Sequence, residues 1–341
     1  MKSGYELIYK SKESKEFWKL FNLLKVNYKF IGSIYDPVTL NWFLTKAEDF
    51  GFDVKDYSCI FSFNGEPYSS FIGAKISKGN VSSLSLYEAP CLALDSLTIT
   101  KKQKKQIDIF LENLLADDIT NFRVKGPDLD CRIPSLCELL LNKTKSKITP
   151  ATTRIIDLSF DEIELKKSIR KSYHSLINWG LKQMKIQIFD KNNVNWEIID
   201  DFRNLHINEA KRETRTINTW QKQLEAIQSG YAFCITAHLN QELVSAAYFL
   251  CPEKICYYGS SASRRDLFDK PLSHALIWKA IIESKKKGAL FFNIGSTSGS
   301  DNNIYLTEKE HNIAYFKEGF GGQLVLNYLV ENLNFKSYSD T

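Results

Sequence analysis

The sequence predicts an α/β protein of two similar domains. Three observations point there. An order of hairpin, strand, helix and strand occurs once in each half of the chain. A polar stretch, NKTKSKITPATTR (142–154), separates the halves and reads as an interdomain linker. The length, 341 residues, suits about two domains of ~100–200 residues each. The repeat is one of pattern, with little residue identity between the copies.

In the first half, SKEFWKLFNLLKV places Phe17, Leu20, Phe21 and Leu24 on one helix face. DPVTLNWFLTKAEDF reads as a second helix, with Pro37 near its start, where a missing N–H costs little. The period then changes. YSCIFSFNGEPYSSFIGAKI is two strand-like runs around Asn64-Gly65, a strong hairpin turn. VSSLSLYEAPCLAL is a third extended run. KKQKKQIDIFLENLLADD is a helix with Ile107, Phe110, Leu111 and Leu114 on one face, and NFRVKGPD is a short strand after it.

The second half opens with two largely helical stretches, SFDEIELKKSIRKSYHSLINWGLKQ and NNVNWEIIDDFRNLHINEAKRETRTINTWQKQLEAIQSG. YAFCITAHLNQELVSAAYFL is a hairpin turning near Asn240, and KICYYGSSAS is the next strand. PLSHALIWKAIIESKKKG is a helix with Pro271 at its start and Gly288 at its end. ALFFNIGS follows as a strand. The expected boundaries are residues 1–145 and 146–325, with 326–341 a terminal segment whose return to the first domain is left open.

Composition sets the function classes. The net charge of +5, from 45 basic and 40 acidic residues, fits an anionic small substrate without requiring nucleic acid. Lysines cluster in KKQKK (101–105), NKTKSK (142–147) and KKK (285–287). Such runs are ordinarily solvated helix ends and loops, with a phosphate-rich ligand as the sharper alternative. No signal-peptide stretch or membrane span is expected, because no apolar run nears ~18 residues. The seven cysteines are odd in number and lack CxxC spacing. They read as buried thiols of a reducing, cytoplasmic compartment. No metal site is expected, since the cysteine spacings are loose and no paired histidines adjoin them. GxGxxG, Walker-A and GxSxG motifs are absent.

The residues that remain for chemistry are few. Lys317, in NIAYFKEGFGG, sits in what alternation reads as an extended run, charge outward and aromatic inward. The other reading is a charge held for chemistry, with Phe316 beside the substrate. Gly319, Gly321 and Gly322 read as turn and bulge formers. Arg170 and Tyr173, three apart, share a helix face. Arginine suits bidentate phosphate binding, and a surface arginine with a core tyrosine is the alternative. Tyr257 and Tyr258 end a strand before Gly259, with Tyr258 assigned to a cleft, Ser260 and Ser261 to a turn, and Ser260 alternatively to substrate. His206 and Glu209 share a helix face as an acid/base or orienting pair, or as part of a solvated face. Arg212 and Arg215 nearby suit a diphosphate or carboxylate. His274, in the first turn of a helix where positive charge is unfavourable, reads as structural.

The closing run resembles the Fem-type family, peptidyltransferases built from two domains of the Gcn5-related N-acetyltransferase (GNAT) fold. The features that carry the resemblance are ICYYGSSAS, the helix ending in Gly288, the strand leading to Asn293-Ile294-Gly295, and the FK-x-GFGG block around Lys317. SIRKSYHSLINWG, with Arg170, fits a substrate-binding helix of that family. The resemblance covers roughly residues 165–327. It implies two tandem GNAT-like domains, each a central mixed sheet flanked by helices. It also implies an acyl- or aminoacyltransferase that forms an amide on an amine of a cell-envelope precursor, a muropeptide of peptidoglycan or a nucleotide-linked amino sugar. Lys317 would stabilise negative charge there. Arg170, Tyr173, His206, Glu209, Arg212, Arg215, Tyr258, Ser260 and Phe316 would hold substrate.

No tightly bound cofactor is expected. The acyl donor enters as co-substrate: aminoacyl-tRNA, acyl-CoA or another thioester. Partners would be the precursor and a charged tRNA or acyl carrier, not DNA. The sequence departs from the acetyltransferase pattern in one place: SRRDLFDKPLS stands where a Q/R-x-x-G-x-G/A pyrophosphate loop would be. Two alternatives stay open, a CoA-dependent N-acetyltransferase acting on an amino sugar or small amine, and a non-catalytic binding protein of the same fold.

Overall fold

The computed structural model describes residues 4–28, 31, 33–127, 132–296 and 307–332. Cys131 and residues 333–341 lie outside them. In chain order the first elements are β1 (Tyr5–Tyr9), α1 (Ser14–Lys25), α2 (Pro37–Asp49), β2 (Asp53–Asp56), β3 (Cys59–Phe63), β4 (Glu66–Ile72), β5 (Ala74–Lys78), β6 (Val81–Ser85) and β7 (Cys91–Asp95). Then come α3 (Lys101–Leu115), β8 (Asn121–Lys125), α4 (Ser135–Lys143), β9 (Lys147–Asp157), α5 (Glu162–Ser168), α6 (Lys171–Gln183) and β10 (Lys185–Phe189). The chain continues through α7 (Trp196–Ala210), α8 (Ile217–Gln228), β11 (Ala232–Leu239), β12 (Glu242–Leu250) and β13 (Ile255–Ser263). It closes with α9 (Leu272–Lys286), β14 (Phe291–Ser296), α10 (Glu308–Glu318) and β15 (Gln323–Asn332).

Two compact units result: residues 1–151 with 326–341, and residues 152–325. Both β9 and β15 run through a boundary between them. In the first unit the sheet order is β1-β3-β4-β7-β8-β15, with β2, β5 and β6 branching from β8. The end of β15 pairs antiparallel with β8, Leu329 opposite Lys125 and Asn332 opposite Phe122. The sheet is buried on both faces. Ile60, Ile72 and Leu92 pack with α1 and α2 on one side, while Phe61, Phe71 and Ala93 pack with α3 and α4 on the other. Strands covered on both faces read as continuous apolar runs, which is why CIF and CLAL do not alternate.

The second unit has the order β9-β14-β13-β12-β11-β10. Its pairs are antiparallel except β13 with β14, which is parallel. Phe233, Phe249, Phe292 and Ile294 form a core with Ile177 of α6 and Leu276 and Ile281 of α9. On the other face α7 and α8 pack against β11, β12 and β13, with Phe202 and Trp220 buried and 5.1 Å apart.

Several local readings change. The stretch 142–154 is the end of α4 and most of an eleven-residue strand, β9, rather than a linker. Its threonines and isoleucines are β-branched, and from Thr153 onward it pairs with β14. VSSLSLYEAPCLAL is two strands, broken by a Leu86–Ala89 bridge at Tyr87, whose φ is +62°. The run after the Asn64-Gly65 turn likewise breaks at Gly73, where a β-carbon would strike Cys91 Sγ at 2.4 Å. The most consequential change is at Lys317, which lies in the last turn of helix α10 and not in a strand. Ala314 is buried within the helix, and Phe320 is buried in the turn that follows it.

Candidate active site

The parallel pairing of β13 with β14 is short. Ile255, Cys256 and Tyr257 lie opposite Phe291, Phe292 and Asn293, and there the pairing ends. Both strands continue, to Ser263 and Ser296. Each also carries a bulge at this level. On β13 the register slips so that Gly259 is the extra residue between Tyr258 and Ser260. On β14 it slips between Asn293 and Gly295, opposite Ile155 and Arg154 of β9. Beyond Tyr257 and Asn293 the two strands show no further pairing among the described residues.

Gly295 sits at this parting with φ +97°, a conformation that excludes most side chains. Its missing β-carbon leaves room for Lys317. A β-carbon there would lie 2.9 Å from Lys317 Nζ. Burial lowers the Lys317 pKa from the ordinary lysine value, because a low-polarity setting disfavours the ammonium. Its place in the last helical turn acts the other way, since the negative end of the α10 dipole favours a cation. On β9, Arg154 donates from Nη1 to the Gly322 carbonyl at 2.9 Å, and its Nη2 lies 3.9 Å from Glu318. Arg154 thereby ties down the turn that carries Lys317.

The start of α6 docks on the end of α10. Arg170 caps α6 rather than lying within it. Its backbone N–H donates to Gly319 O at 2.8 Å, and its guanidinium lies 3.9 Å from the centre of the Tyr315 ring. Tyr173 donates its hydroxyl to Phe316 O at 3.2 Å. A β-carbon on Gly319 would lie 2.1 Å from the Tyr173 ring, so only glycine fits. His274 completes the cluster, its ring 4.5 Å from Tyr173 and 5.1 Å from Phe316. Burial among these rings pushes its pKa down to about 4. His274 is therefore a neutral imidazole at physiological pH, and its Nδ1 has no hydrogen-bond partner among the described residues.

Arg170, Tyr173, Phe316 and Lys317 are thus brought together around the end of α10. The other expected residues are arranged differently. Tyr258 stacks on Phe249 at 5.5 Å, against the core rather than out into a cleft. Burial raises its pKa, and its hydroxyl meets Ser261 Oγ. Ser260 and Ser261 lie in strand β13 and form no turn. Ser260 Oγ is buried without a partner among the described residues. His206 and Glu209 take different partners. Thr214 Oγ1 and Arg215 Nη1 lie 3.3 and 3.2 Å from the His206 ring nitrogens, whereas Glu209 accepts the Arg265 N–H at 3.0 Å. Arg215 also lies over Trp220, and Arg212 is exposed beyond the end of α7.

The connection from β13 to α9, where a pyrophosphate loop would stand, carries Arg264, Arg265 and Lys270 with Asp266 and Asp269. Arg264 is held by Glu242 at 2.5 Å and Asp266 at 2.6 Å, and the Arg265 N–H is taken by Glu209. Sequence reasoning passed over Asn293, Arg154 and Gly295 as site residues. The local signal for Asn293 and Gly295 is the short run Asn293-Ile294-Gly295 at a strand end, and Arg154 lies on a different strand, β9.

No family model matches the chain, and no curated protein does. Solved structures do match in fold. The crystal structure of FemX superposes with a TM-score of 0.64 at 13% identity, covering 92% of this chain and 95% of that one. The structure of L-PGS from Bacillus licheniformis gives 0.57 at 14% identity, over 88% and 93%. A tandem GNAT protein from the clavulanic acid biosynthesis pathway gives 0.55 at 9% identity, over 97% and 100%. The chain therefore has the tandem GNAT fold that its closing motifs resemble, a mixed sheet flanked by helices in each unit.

Proposed function

We propose that this protein is an acyltransferase that forms an amide, with an aminoacyl ester as donor and an amine on a phosphate-bearing cell-envelope precursor as acceptor. The observation that carries the reading is the half-buried Lys317 ammonium set against Gly295 where β13 and β14 part. Amide formation from an ester builds negative charge on the carbonyl oxygen. A fixed cation in a place poor in water is what lowers that barrier. Holding donor and acceptor together supplies much of the remainder. Arg170, with ring and carbonyl contacts and no ion pair among the described residues, is suited to an acceptor phosphate.

The resemblance of the closing motifs to the Fem-type family supports an aminoacyl donor, as does the absence of a Q/R-x-x-G-x-G/A pyrophosphate loop between β13 and α9. Such a reaction would belong in the cytoplasm, where charged tRNA and nucleotide-linked precursors are found. No helix among the described residues is long and apolar enough to cross a membrane.

The test is direct. Purified protein is offered aminoacyl-tRNAs, acetyl-CoA and longer acyl-CoAs in turn, with nucleotide-linked muropeptides and amino sugars as acceptors. The expected result is an acceptor gaining one aminoacyl mass from tRNA. Transfer from CoA alone would move the assignment to an N-acetyltransferase. Absence of transfer from every donor would leave a non-catalytic binding protein.

A further inference from the structure

Asn293 stands at the same parting of β13 and β14, and its side chain is only half used. The residue is 8% exposed. Its Oδ1 accepts the Gly295 N–H at 2.8 Å and the Thr153 hydroxyl at 3.0 Å. A backbone N–H needs an acceptor, so the Gly295 contact fixes which end of the carboxamide is oxygen. The other end is a two-proton donor, and no hydrogen bond holds it among the described residues. It is not sealed from solvent, since it is absent from the fully buried atoms that lack partners. A donor this deeply set, fixed by two bonds to its own oxygen, is preorganised for a ligand acceptor.

We infer that Asn293 is a further catalytic residue, donating from Nδ2 to the carbonyl oxygen of the acyl donor next to the Lys317 ammonium. The inference rests on the acyl-transfer reading of this site. The neutral amine of the acceptor forms the new C–N bond, and the carbonyl electron pair moves onto oxygen. That oxyanion is held by the Asn293 amide and the Lys317 ammonium. Collapse restores C=O and breaks the bond from carbon to the donor's ester oxygen or thioester sulfur. The leaving group departs with the proton released by the attacking nitrogen, so no further reactant is needed.

Two substitutions separate donation from support. Asn293→Asp keeps an acceptor for Gly295 and Thr153 and removes the donor. Asn293→Ala removes both. In the active enzyme, Asn293→Asp should melt near the wild-type temperature, keep its KM and lose about 10²-fold or more in kcat. Wild-type kcat in a folded Asn293→Asp variant would overturn the inference while leaving the acyltransferase reading intact. A second measurement needs no turnover and no variant fold: the Asn293 side-chain amide resonance of ¹⁵N-labelled wild type, titrated with 3′-alanyl-adenosine and with acetyl-CoA. A shift of that resonance by either probe supports donation, even if no transfer is found and the acyltransferase reading fails. An unmoved resonance with both probes overturns it.

Discussion

Lys317 Nζ occupies space beside Gly295 that any β-carbon would contest, at 2.9 Å. Gly295→Ala therefore acts twice. It places a side chain at φ +97°, a cost of about 1–2 kcal/mol, and it pushes the ammonium from its seat. Thermal or denaturant unfolding should show that loss of stability, and acyl transfer should fall through kcat. Unchanged stability together with unchanged turnover would show that the ammonium does not depend on this space.

Replacing Lys317 should trade function for stability. Burial lowers its pKa in the fold below the ordinary value of 10.5. Below the folded pKa both states are protonated, and the fold bears the full cost of burying the charge. That cost is relieved as pH rises from the folded pKa towards the unfolded one. Lys317→Met should therefore melt above wild type at pH 7, with a gap that narrows in alkaline buffer, and should have lost transfer activity. In the wild type, activity that needs the ammonium should decline at a lower pH than an ordinary lysine would dictate. A lower melting temperature for Lys317→Met at pH 7 would contradict this account.

His274 gives a slope of the same sign, displaced to acid pH. Its pKa is about 4 in the fold against an ordinary 6.5. Between those values the unfolded chain takes up a proton that the native imidazole refuses, so stability drops as pH falls from about 6.5 to about 4. His274→Phe should flatten that part of a stability–pH profile measured by urea unfolding. An identical slope in the variant would assign the effect to other groups.

Gly319 and Tyr173 should be coupled. A β-carbon on Gly319 would lie 2.1 Å from the Tyr173 ring, so Gly319→Ala should cost about 1–3 kcal/mol through overpacking. Tyr173→Ala empties the same space and should cost about 3–5 kcal/mol for the lost ring. Combined, the two should destabilise by less than their sum, and a double-mutant cycle reads the difference. Strict additivity would mean that the clash is absorbed elsewhere.

Much of the architecture was legible because its signals are local. The α1 and α3 faces, the Asn64-Gly65 hairpin and the Gly288 end of α9 each follow from residues within a turn or two of one another. The helix that carries Lys317 was not legible. NIAYFKEGF alternates well enough to pass for a strand, and its helical face is defined by Tyr173 and His274, which are remote in sequence. Asn293 was hidden for a related reason. Its oxygen is fixed by Thr153 and by the β14 bulge, and neither can be read from the strand's own composition. Tyr258 stacks on Phe249, on the side of Cys256 two residues earlier; alternation gives that shared side but does not say which side is the core.

The route of β15 bears on how the chain becomes a protein. The first unit's sheet takes its last strand from the end of β15, where Leu329 to Asn332 pair with β8. On the ribosome the first 151 residues emerge early but lack that strand, while residues 152–325 form an unbroken stretch. The second unit can therefore close before the first is complete, and the first must wait with the free edge of β8 exposed. An unpaired edge held open during synthesis is where misfolding and self-association begin. Yield of soluble protein should accordingly depend on those last few residues more than their number would suggest.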